Sequence, residues 1–310
     1  MWAMETQPKT SGLAVASFIM AFLPLLNCIG FILGIVALVQ INDKTKRVQG
    51  SGLAIGGLVI SVIIWPVIGI LASMLLPALA KAKGRANRIK CLSNVKQVDS
   101  AFKAFANDNN DRYPWLLEAR DERAQGGGVS GWSQGTSTLF AHPAIKSNIG
   151  SAKILVSPLD PDRQGVNDGI DLSFVDLANP VPNGGHSYGV VNGAGGAGKA
   201  ADDARPNTIL IVTRNISGPA NGEDSLSDQS QNRATSHFRS TAVWKGADKH
   251  PLDPRTMVGL NANQGQLGLA DGSASQSNHA DLEMKIHAHH NELGGNYKGS
   301  PSGFLDTPND

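Results

Sequence analysis

Two long stretches without a charged residue fill most of the N-terminal part of the chain. They run from Thr10 to Asn42 and from Val48 to Ala80. Each is longer than the roughly 20 apolar residues that cross the hydrocarbon core of a bilayer as a helix. A cleaved signal peptide would have a shorter apolar region and a small-residue cleavage site, so it explains the first stretch less well. The sequence therefore predicts two membrane spans, arranged as a helical hairpin within residues 1–80.

The two apolar stretches also share a short repeated sequence. Residues 11–15 read Ser-Gly-Leu-Ala-Val, and residues 51–55 read Ser-Gly-Leu-Ala-Ile. Such a repeat indicates a duplicated helical element. Small side chains in both copies would let helices approach closely in lipid, where packing replaces the hydrophobic drive. The arrangement resembles a two-helix bacterial membrane domain of unknown function, and that resemblance implies no activity.

The second stretch continues without a break into a segment with the pattern of an amphipathic helix. Its apolar residues recur every three or four positions, which places them on one side of an α-helix: Ile89, Leu92, Val95, Val98, Phe102 and Phe105. Short polar residues at Asn107–Asp111, followed by Pro114, predict the end of the helix. Another part of the chain must pack on the stripe, so we interpret the helix as a stalk between a membrane anchor and a soluble domain.

This segment resembles the first helix of bacterial type II secretion pseudopilin-like (prepilin-type) proteins. The likeness is carried by Leu75–Lys83, Cys91–Gln97 and Asp108–Pro114. Weaker similarity within residues 75–280 lies at Leu155–Pro161, His186–Gly189 and Leu269–Ser273, the last being similar to the family's closing Asp-Gly hairpin. The resemblance implies a long N-terminal helix against a small antiparallel sheet, and it implies no catalysis.

The chain departs from that family in two places. Similar proteins often carry a second cysteine where this chain has Ser157, so the resemblance does not extend to a disulfide with Cys91. Prepilin-type proteins also begin with a basic leader that ends in glycine, followed by Phe-Thr-Leu-x-Glu, and nothing before Leu75 resembles it. Entry into a filament by the usual route is therefore not expected.

Charges beside the apolar stretches give two opposed indications of membrane orientation. Lys44, Lys46 and Arg47 lie between the stretches, and the positive-inside rule then places that loop in the cytoplasm and both termini outside. Five bases after the second stretch argue the reverse: Lys81, Lys83, Arg85, Arg88 and Lys90. We favour the first orientation, because the resembling stalk helices carry similar bases outside the cytoplasm. The soluble domain is thus expected outside the inner membrane.

Beyond Pro114 the composition is typical of strands and loops. Candidate strands are Ile154–Val156, Ser187–Val191, Thr208–Thr213, Thr241–Trp244, Gln266–Ala270 and Ser273–Gln276. The last two flank Asp271-Gly272, a usual two-residue hairpin turn with positive φ at both positions. Gly294–Asp310 reads as a loose tail. The predicted fold is α+β with a membrane anchor: a two-helix transmembrane hairpin in residues 1–80, and a pilin-like domain in residues 81–310 whose long stalk helix packs on a small antiparallel sheet.

Charge and cysteine content restrict the partners. A formal net charge of +1 and a pI near 7.8 provide no global field that would attract nucleic acid. Cys28 lies in an apolar stretch and Cys91 on the stalk, so the two cysteines do not form a disulfide framework. The expected partners are the lipid bilayer and secretion or pilus-type envelope proteins, with no nucleic acid and no nucleotide.

Two sequence patterns suggest chemistry that the surrounding residues do not support. Gly193–Lys199 has the spacing of a phosphate-binding loop, but Ala200 stands where a magnesium-binding hydroxyl belongs, and Pro206 leaves no room for the helix that would follow. Four histidines lie near the C-terminus, at positions 279, 287, 289 and 290. They lack a zinc-site spacing and read as solvated surface residues. We therefore predict no catalytic residues, because no serine or cysteine has the context of a nucleophile either.

A segment rich in aspartate offers the one candidate metal site. Its oxygen donors occupy positions one, three, five, nine and twelve of a loop with glycine at position six: Asp160, Asp162, Gln164, Asp168 and Asp171. This spacing wraps a calcium ion in known loops, although the last position usually holds a bidentate glutamate and helices usually flank the loop. Turn chemistry alone also explains such clusters. Calcium is the only cofactor that the sequence suggests.

Together these features predict a non-catalytic inner-membrane protein that displays a pseudopilin-like domain outside the cytoplasm, as an accessory to type II secretion or envelope assembly. The alternative is a membrane-tethered ligand-binding or metal-dependent enzymatic domain that uses the aspartate segment or the histidines. Recovery of protein partners from native membranes would distinguish the first from the second.

Overall fold

The computed structural model describes residues 9–10, 12–21, 27–42, 48–49, 51–117, 136–191, 201–217, 234–237, 243–246, 257, 260–293 and 304–307. The chain forms two compact units, Met1–Lys83 and Gly84–Asp310.

The first apolar stretch forms two short helices rather than one span. Helix α1 covers Gly12–Ala21 and helix α2 covers Asn27–Asn42. The 10 residues of α1 extend about 15 Å, whereas the hydrocarbon core is roughly 30 Å thick. Residues 22–26, which include Pro24, lie outside the described part. The structure thus describes two short apolar helices in place of a single described span, and the two-span hairpin stays a prediction.

Helix α3 runs from Ser51 to Asp108 and contains most of the second apolar stretch. Among the described helices it alone is long and apolar enough to cross a membrane. Within the first unit, α1 packs on α2, and Ala14, Ala37 and Ala54 form a small buried cluster with them. Strand β1 (Lys9–Thr10) pairs in parallel with β2 (Val48–Gln49).

The C-terminal half of α3 forms the centre of the second unit. Val95, Val98, Phe102 and Phe105 are fully buried, as the apolar stripe predicts. The prediction that Ile89 belongs to the buried stripe is wrong, because its side chain is 64% exposed. Cys91 is buried on this side of the helix instead. The helix ends at Asp108 as predicted, and positive φ angles at Asn110 and Asp111 turn the chain away.

Six strands of the described chain form one antiparallel sheet: β3 (Tyr188–Val190), β4 (Ile209–Thr213), β6 (Ala234–His237), β8 (Gly265–Leu269), β9 (Ala274–Ser277) and β10 (Phe304–Thr307). Their order across the sheet is β6-β10-β3-β4-β8-β9. A separate pair consists of β5 (Ile216–Ser217) and β7 (Val243–Trp244). Strand β8 passes close to α3, since a Cβ at Gly268 would lie 3.3 Å from Val95. The predicted combination of a long helix with a small antiparallel sheet is thus confirmed.

Short helices surround the helix and sheet. They are α4 (Thr136–Ala141), α5 (Pro143–Ile149), α6 (Pro161–Asn167) and α7 (His279–Glu292). Helix α7 begins with a capping box, in which Asn278 accepts from the backbone N–H of Asp281 and the Asp281 side chain accepts from that of Asn278. Helix α4 places Leu139 and Phe140 in the same buried cluster as Phe102.

Three local predictions are corrected. The predicted strand Ile154–Val156 overlaps a 3₁₀ turn at Ala152–Leu155, because a short apolar run buries itself equally well in either conformation. Part of the predicted loose tail forms β10, which pairs with β3 and β6. The Asp-Gly hairpin exists between β8 and β9, but only Gly272 has a positive φ, of 82°. Leu269 bonds across to Ser273, which leaves a three-residue loop rather than a two-residue turn.

Candidate functional site

Asp160, the first predicted calcium donor, lies in a buried ion pair. Its carboxylate and the Arg214 guanidinium are both wholly buried. Arg214 donates from Nε to Oδ2 and from Nη2 to Oδ1, each at 2.7 Å. The hydroxyl of Ser187 donates to Oδ2, also at 2.7 Å. A bidentate pair with a third donor satisfies both oxygens of a buried carboxylate, so Asp160 joins the start of α6 to the end of β4.

The other predicted donors follow a helix rather than a loop. Gln164 lies within α6 and donates to the carbonyl of Ser157 at 3.3 Å. Asp168 is exposed at the end of the helix. Asp171 is exposed and caps the next turn, where hydrogen bonds from the backbone N–H and hydroxyl of Ser173 lower the pKa of its carboxyl. The side chain of Asp162 lies outside the described residues.

One of the five predicted calcium donors, Asp160, is bound to Arg214. Over the described ranges, no group of three or more His, Cys, Asp or Glu side chains is placed to hold a metal ion. Asp160 is already engaged by Arg214, so a calcium ion on this segment would need a ligand set other than the five donors of the spacing argument. Calcium binding therefore stays a prediction for titration.

The C-terminal histidines have separate partners. His289 is fully buried, and its Nδ1 accepts from the backbone N–H of Ile209 at 3.0 Å. His279 accepts from the backbone N–H of Trp244 at 3.1 Å, and His287 lies 4.0 Å from Glu283. The prediction that these histidines are solvated surface residues is wrong for His289. Its side chain instead accepts the hydrogen bond from the first backbone N–H of β4. The side chain of His290, and the whole of Gly193–Lys199, lie outside the described residues.

A serine and a histidine that the sequence did not bring together form a hydrogen bond. Ser137 Oγ lies 3.1 Å from His186 Nε2, although 49 positions separate the two residues. His186 Nδ1 lies 3.1 Å from the carbonyl oxygen of Tyr188. A carbonyl only accepts, so Nδ1 carries the proton and Nε2 accepts from Ser137.

The distance between Ser137 and His186 would suit a nucleophile and its general base. The pKa of His186 does not suit a general base. Burial, with the nearby charges of Arg163 and Arg214, lowers the pKa of His186 to about 3. A general base is most effective when its pKa is near the working pH. His186 is therefore a neutral hydrogen-bonding group that orients α4 against β3.

Cys91 and Ser157 are neighbours in the folded domain. The Cys91 thiol lies 3.7 Å from the Tyr188 hydroxyl and within hydrogen-bond reach of the Ser157 side chain. Burial raises the pKa of the thiol to about 12. A thiol that stays protonated is a poor nucleophile, so Cys91 acts as a packing residue here.

Asp99 is the most unusual ionisable residue of the described domain. It lies on the buried face of α3, and neither of its carboxyl oxygens has a hydrogen-bond partner among the described residues. Burial, with the negative charges of Asp271 and Asp203, raises its pKa to about 8 against the opposing effect of Lys103 and Lys96. Asp99 was not among the residues predicted from the sequence, although an aspartate four positions after Val95 and three before Phe102 falls within the apolar stripe.

A polar cleft of about 320 Å³ lies beside β8 and β9. Its lining includes Arg88, Gln264, Gln266, Gln276 and Asp281. Most of these groups bond one another: Arg88 donates to Gln264 at 3.2 Å, and Gln266 donates to the Arg88 carbonyl at 2.8 Å. These two hydrogen bonds tie α3 to β8 beside the cleft.

Comparison with known proteins returns no match: no family model fits the chain, and no curated protein and no solved structure is similar to it.

Proposed function

We propose that this chain is a non-catalytic protein of the bacterial inner membrane that displays a pseudopilin-like domain outside the cytoplasm, as an accessory to type II secretion or envelope assembly. One observation carries the proposal: the most apolar part of α3 is almost entirely exposed. In its most apolar window, with a mean hydropathy of 2.5, only 6% of the residues are buried inside the protein. Burying one large apolar side chain gains about 1.5–3 kcal/mol, so a lipid environment is the stable surrounding for this half.

The continuity of α3 supports display rather than a free soluble role. The side chains of Leu71 and Leu75 are exposed, whereas those of Val98 and Phe102 on the same helix are fully buried in the second unit. A helix that is apolar all round in one part and one-sided in another fits lipid in the first and a folded domain in the second. The combination of this helix with an antiparallel sheet also agrees with the architecture that the resemblance implies.

The environments of Asp160, His289 and His186 favour a structural role for these three residues over a catalytic one. Asp160 holds Arg214, His289 holds the backbone of Ile209, and His186 has too low a pKa to accept a proton near neutrality. General acids and bases usually have pKa values near the working pH. These residues instead complete hydrogen bonds within the core.

Photo-crosslinking in native membranes tests this function. A photoreactive phenylalanine analogue replaces Phe174, whose side chain is 80% exposed, and a matched variant carries it at the fully buried Phe140. We expect capture of secretion or pilus-type envelope proteins from position 174 and not from position 140. Release of the protein from membranes by alkaline carbonate, or a bound metal or small molecule with no captured envelope protein, would contradict the proposal and favour a ligand-binding or enzymatic domain.

A further inference from the structure

The carboxyl group of Asp99 lies where α3 crosses β8. Its side chain is fully buried, and among the described residues neither oxygen is hydrogen-bonded. Gly268 makes the crossing close, since a Cβ there would lie 3.3 Å from Asp99 Cγ. An ionised carboxylate in this place would lose its hydration without gaining donors, so burial favours the neutral acid.

Charged groups approach Asp99 from three parts of the domain. On α3 itself these are Lys96 and Lys103; the segment 201–208 contributes Asp203, and the β8–β9 turn contributes Asp271. The backbone of β8 at the crossing is Gly268, which has no charge. The two aspartates disfavour a third negative charge, and the two lysines favour it.

Lys103 holds two of these parts against the helix. Its ammonium group donates to Asp203 Oδ1 at 2.9 Å and to the carbonyl of Ala270 at 3.0 Å. The hydroxyl of Tyr113 donates to the same Asp203 oxygen at 3.0 Å. The turn and the segment are also bonded to each other, because the backbone N–H of Ala270 donates to the carbonyl of Thr208 and that of Asp271 to Pro206.

We propose that Asp99 is a proton-controlled latch on the β8–β9 turn. While it is protonated, Lys103 is available to hold Asp203 and Ala270 against α3. When its proton leaves to solvent, the new carboxylate attracts Lys103, which then releases Asp203 and the turn. Lys103 follows Asp99 by four positions on the same helix, so the two side chains are neighbours and the exchange needs only a change of rotamer.

The direction of the pH effect follows from the raised pKa. The folded value of about 8 lies above the ordinary value of 3.8, so the folded state binds the proton more tightly than the unfolded state. The stability that Asp99 contributes is fully present below about pH 4 and is lost as the pH rises to about 8. The latch is therefore closed at neutral and acid pH and opens in mildly alkaline solution.

Hydrogen exchange on the full chain in detergent tests the latch. The exchange rates of the backbone amides are measured at about pH 6.5 and about pH 9.5, and each is corrected for the intrinsic rate at that pH. We expect the Ala270 and Asp271 amides to lose protection at least about tenfold at the higher pH. Asp99→Asn, which cannot ionise, should remove this dependence. Asp108→Asn, an exposed carboxyl on the same helix, should keep it. Equal protection at both pH values in the natural chain, or an unchanged drop in Asp99→Asn, overturns the proposal.

Two measurements keep the test decisive if Asp99→Asn fails to fold. Carbon NMR of labelled aspartate in the natural chain should show one carboxyl that titrates near pH 8, and its absence overturns the protonated state. Lys103→Met removes the cation that the latch moves, so the turn should exchange rapidly at both pH values. Full protection in Lys103→Met would show that Lys103 does not hold the turn.

Discussion

At the scale of single residues, the Asp160 and Arg214 pair shows how this domain uses a buried charge. Both side chains have lost all contact with solvent. Desolvation of two charges costs as much as their attraction returns, so such a pair adds little net stability over well-packed apolar residues. Removal of one partner is different, because the other charge is then left buried without compensation. The pair therefore determines where α6 lies relative to the sheet more than it strengthens the fold.

Asp160→Asn should lower the free energy of unfolding by about 3–5 kcal/mol, because the guanidinium of Arg214 would remain buried without a countercharge. Asp168→Asn, an exposed carboxyl at the end of the same helix, should change it by less than about 0.5 kcal/mol. Denaturant unfolding followed by tryptophan fluorescence measures both. If the two variants have the same free energy of unfolding, Asp160 is not needed to compensate the buried charge of Arg214.

The same pair of variants also examines calcium. If calcium raises the unfolding midpoint of the natural chain, the rise should persist in Asp160→Asn only when Asp160 is not a ligand. Calcium stabilises through the folded state by about 2.7 kcal/mol at a hundredfold excess over Kd. If calcium does not raise the unfolding midpoint of Asp160→Asn, Asp160 is a calcium ligand and its role is not purely structural.

At the scale of elements, strand β8 depends on a glycine that faces Trp244. The indole is almost fully buried and donates from Nε1 to the hydroxyl of Ser277 at 3.2 Å. A Cβ on Gly265 would lie 2.1 Å from the Trp244 ring. No real Cβ approaches a ring so closely, so the strand and the ring fit together only while residue 265 has no side chain.

Gly265→Ala should therefore destabilise the domain by about 3 kcal/mol, because the ring or the strand must shift within a packed core. Gly165→Ala is the matched control. It makes the same change inside α6, where a Cβ would meet nothing within 4 Å, and it should stabilise by about 0.5–1 kcal/mol through helix propensity. Thermal unfolding of the two variants compares them directly. Equal shifts in the same direction would show that Trp244 does not pack on β8.

The elements differ in how far the sequence could predict them. Helix α3 was predicted because its period of three to four persists over many turns, and the β8–β9 hairpin because Asp-Gly is a strong local signal. The 3₁₀ turn at Ala152–Leu155 was missed, since a short apolar run has no period that separates it from a strand. Ile89 was misplaced because the stripe drifts round a straight helix.

The candidate sites were harder to predict, because their chemistry lies in contacts between distant residues. Asp160 and Arg214 are 54 positions apart, and Ser137 and His186 are 49 apart. No spacing rule joins such pairs in a single sequence. Asp99 could have been found, since it interrupts the apolar face of a helix that was itself predicted correctly.

At the scale of the whole molecule, the charges beside the apolar stretches predict the membrane orientation. The bases at Lys44, Lys46 and Arg47 favour both termini outside the cytoplasm. A cysteine in place of the exposed Ser147 should then react with an impermeant maleimide in intact spheroplasts. A chain with Cys28→Ser and Cys91→Ser is the background and the control, so that Ser147→Cys is its one thiol. Labelling of Ser147→Cys only after lysis would reverse the orientation.

The hydrogen bond from Lys103 to Ala270 joins residues that lie 167 positions apart. A ribosome that adds about 5–20 residues per second takes roughly 10 to 30 s to travel that distance. During this interval the apolar side of α3 has been made, but the strand that covers it has not. A message truncated before β8 should therefore produce a chain in which part of this side stays uncovered and which is prone to aggregate.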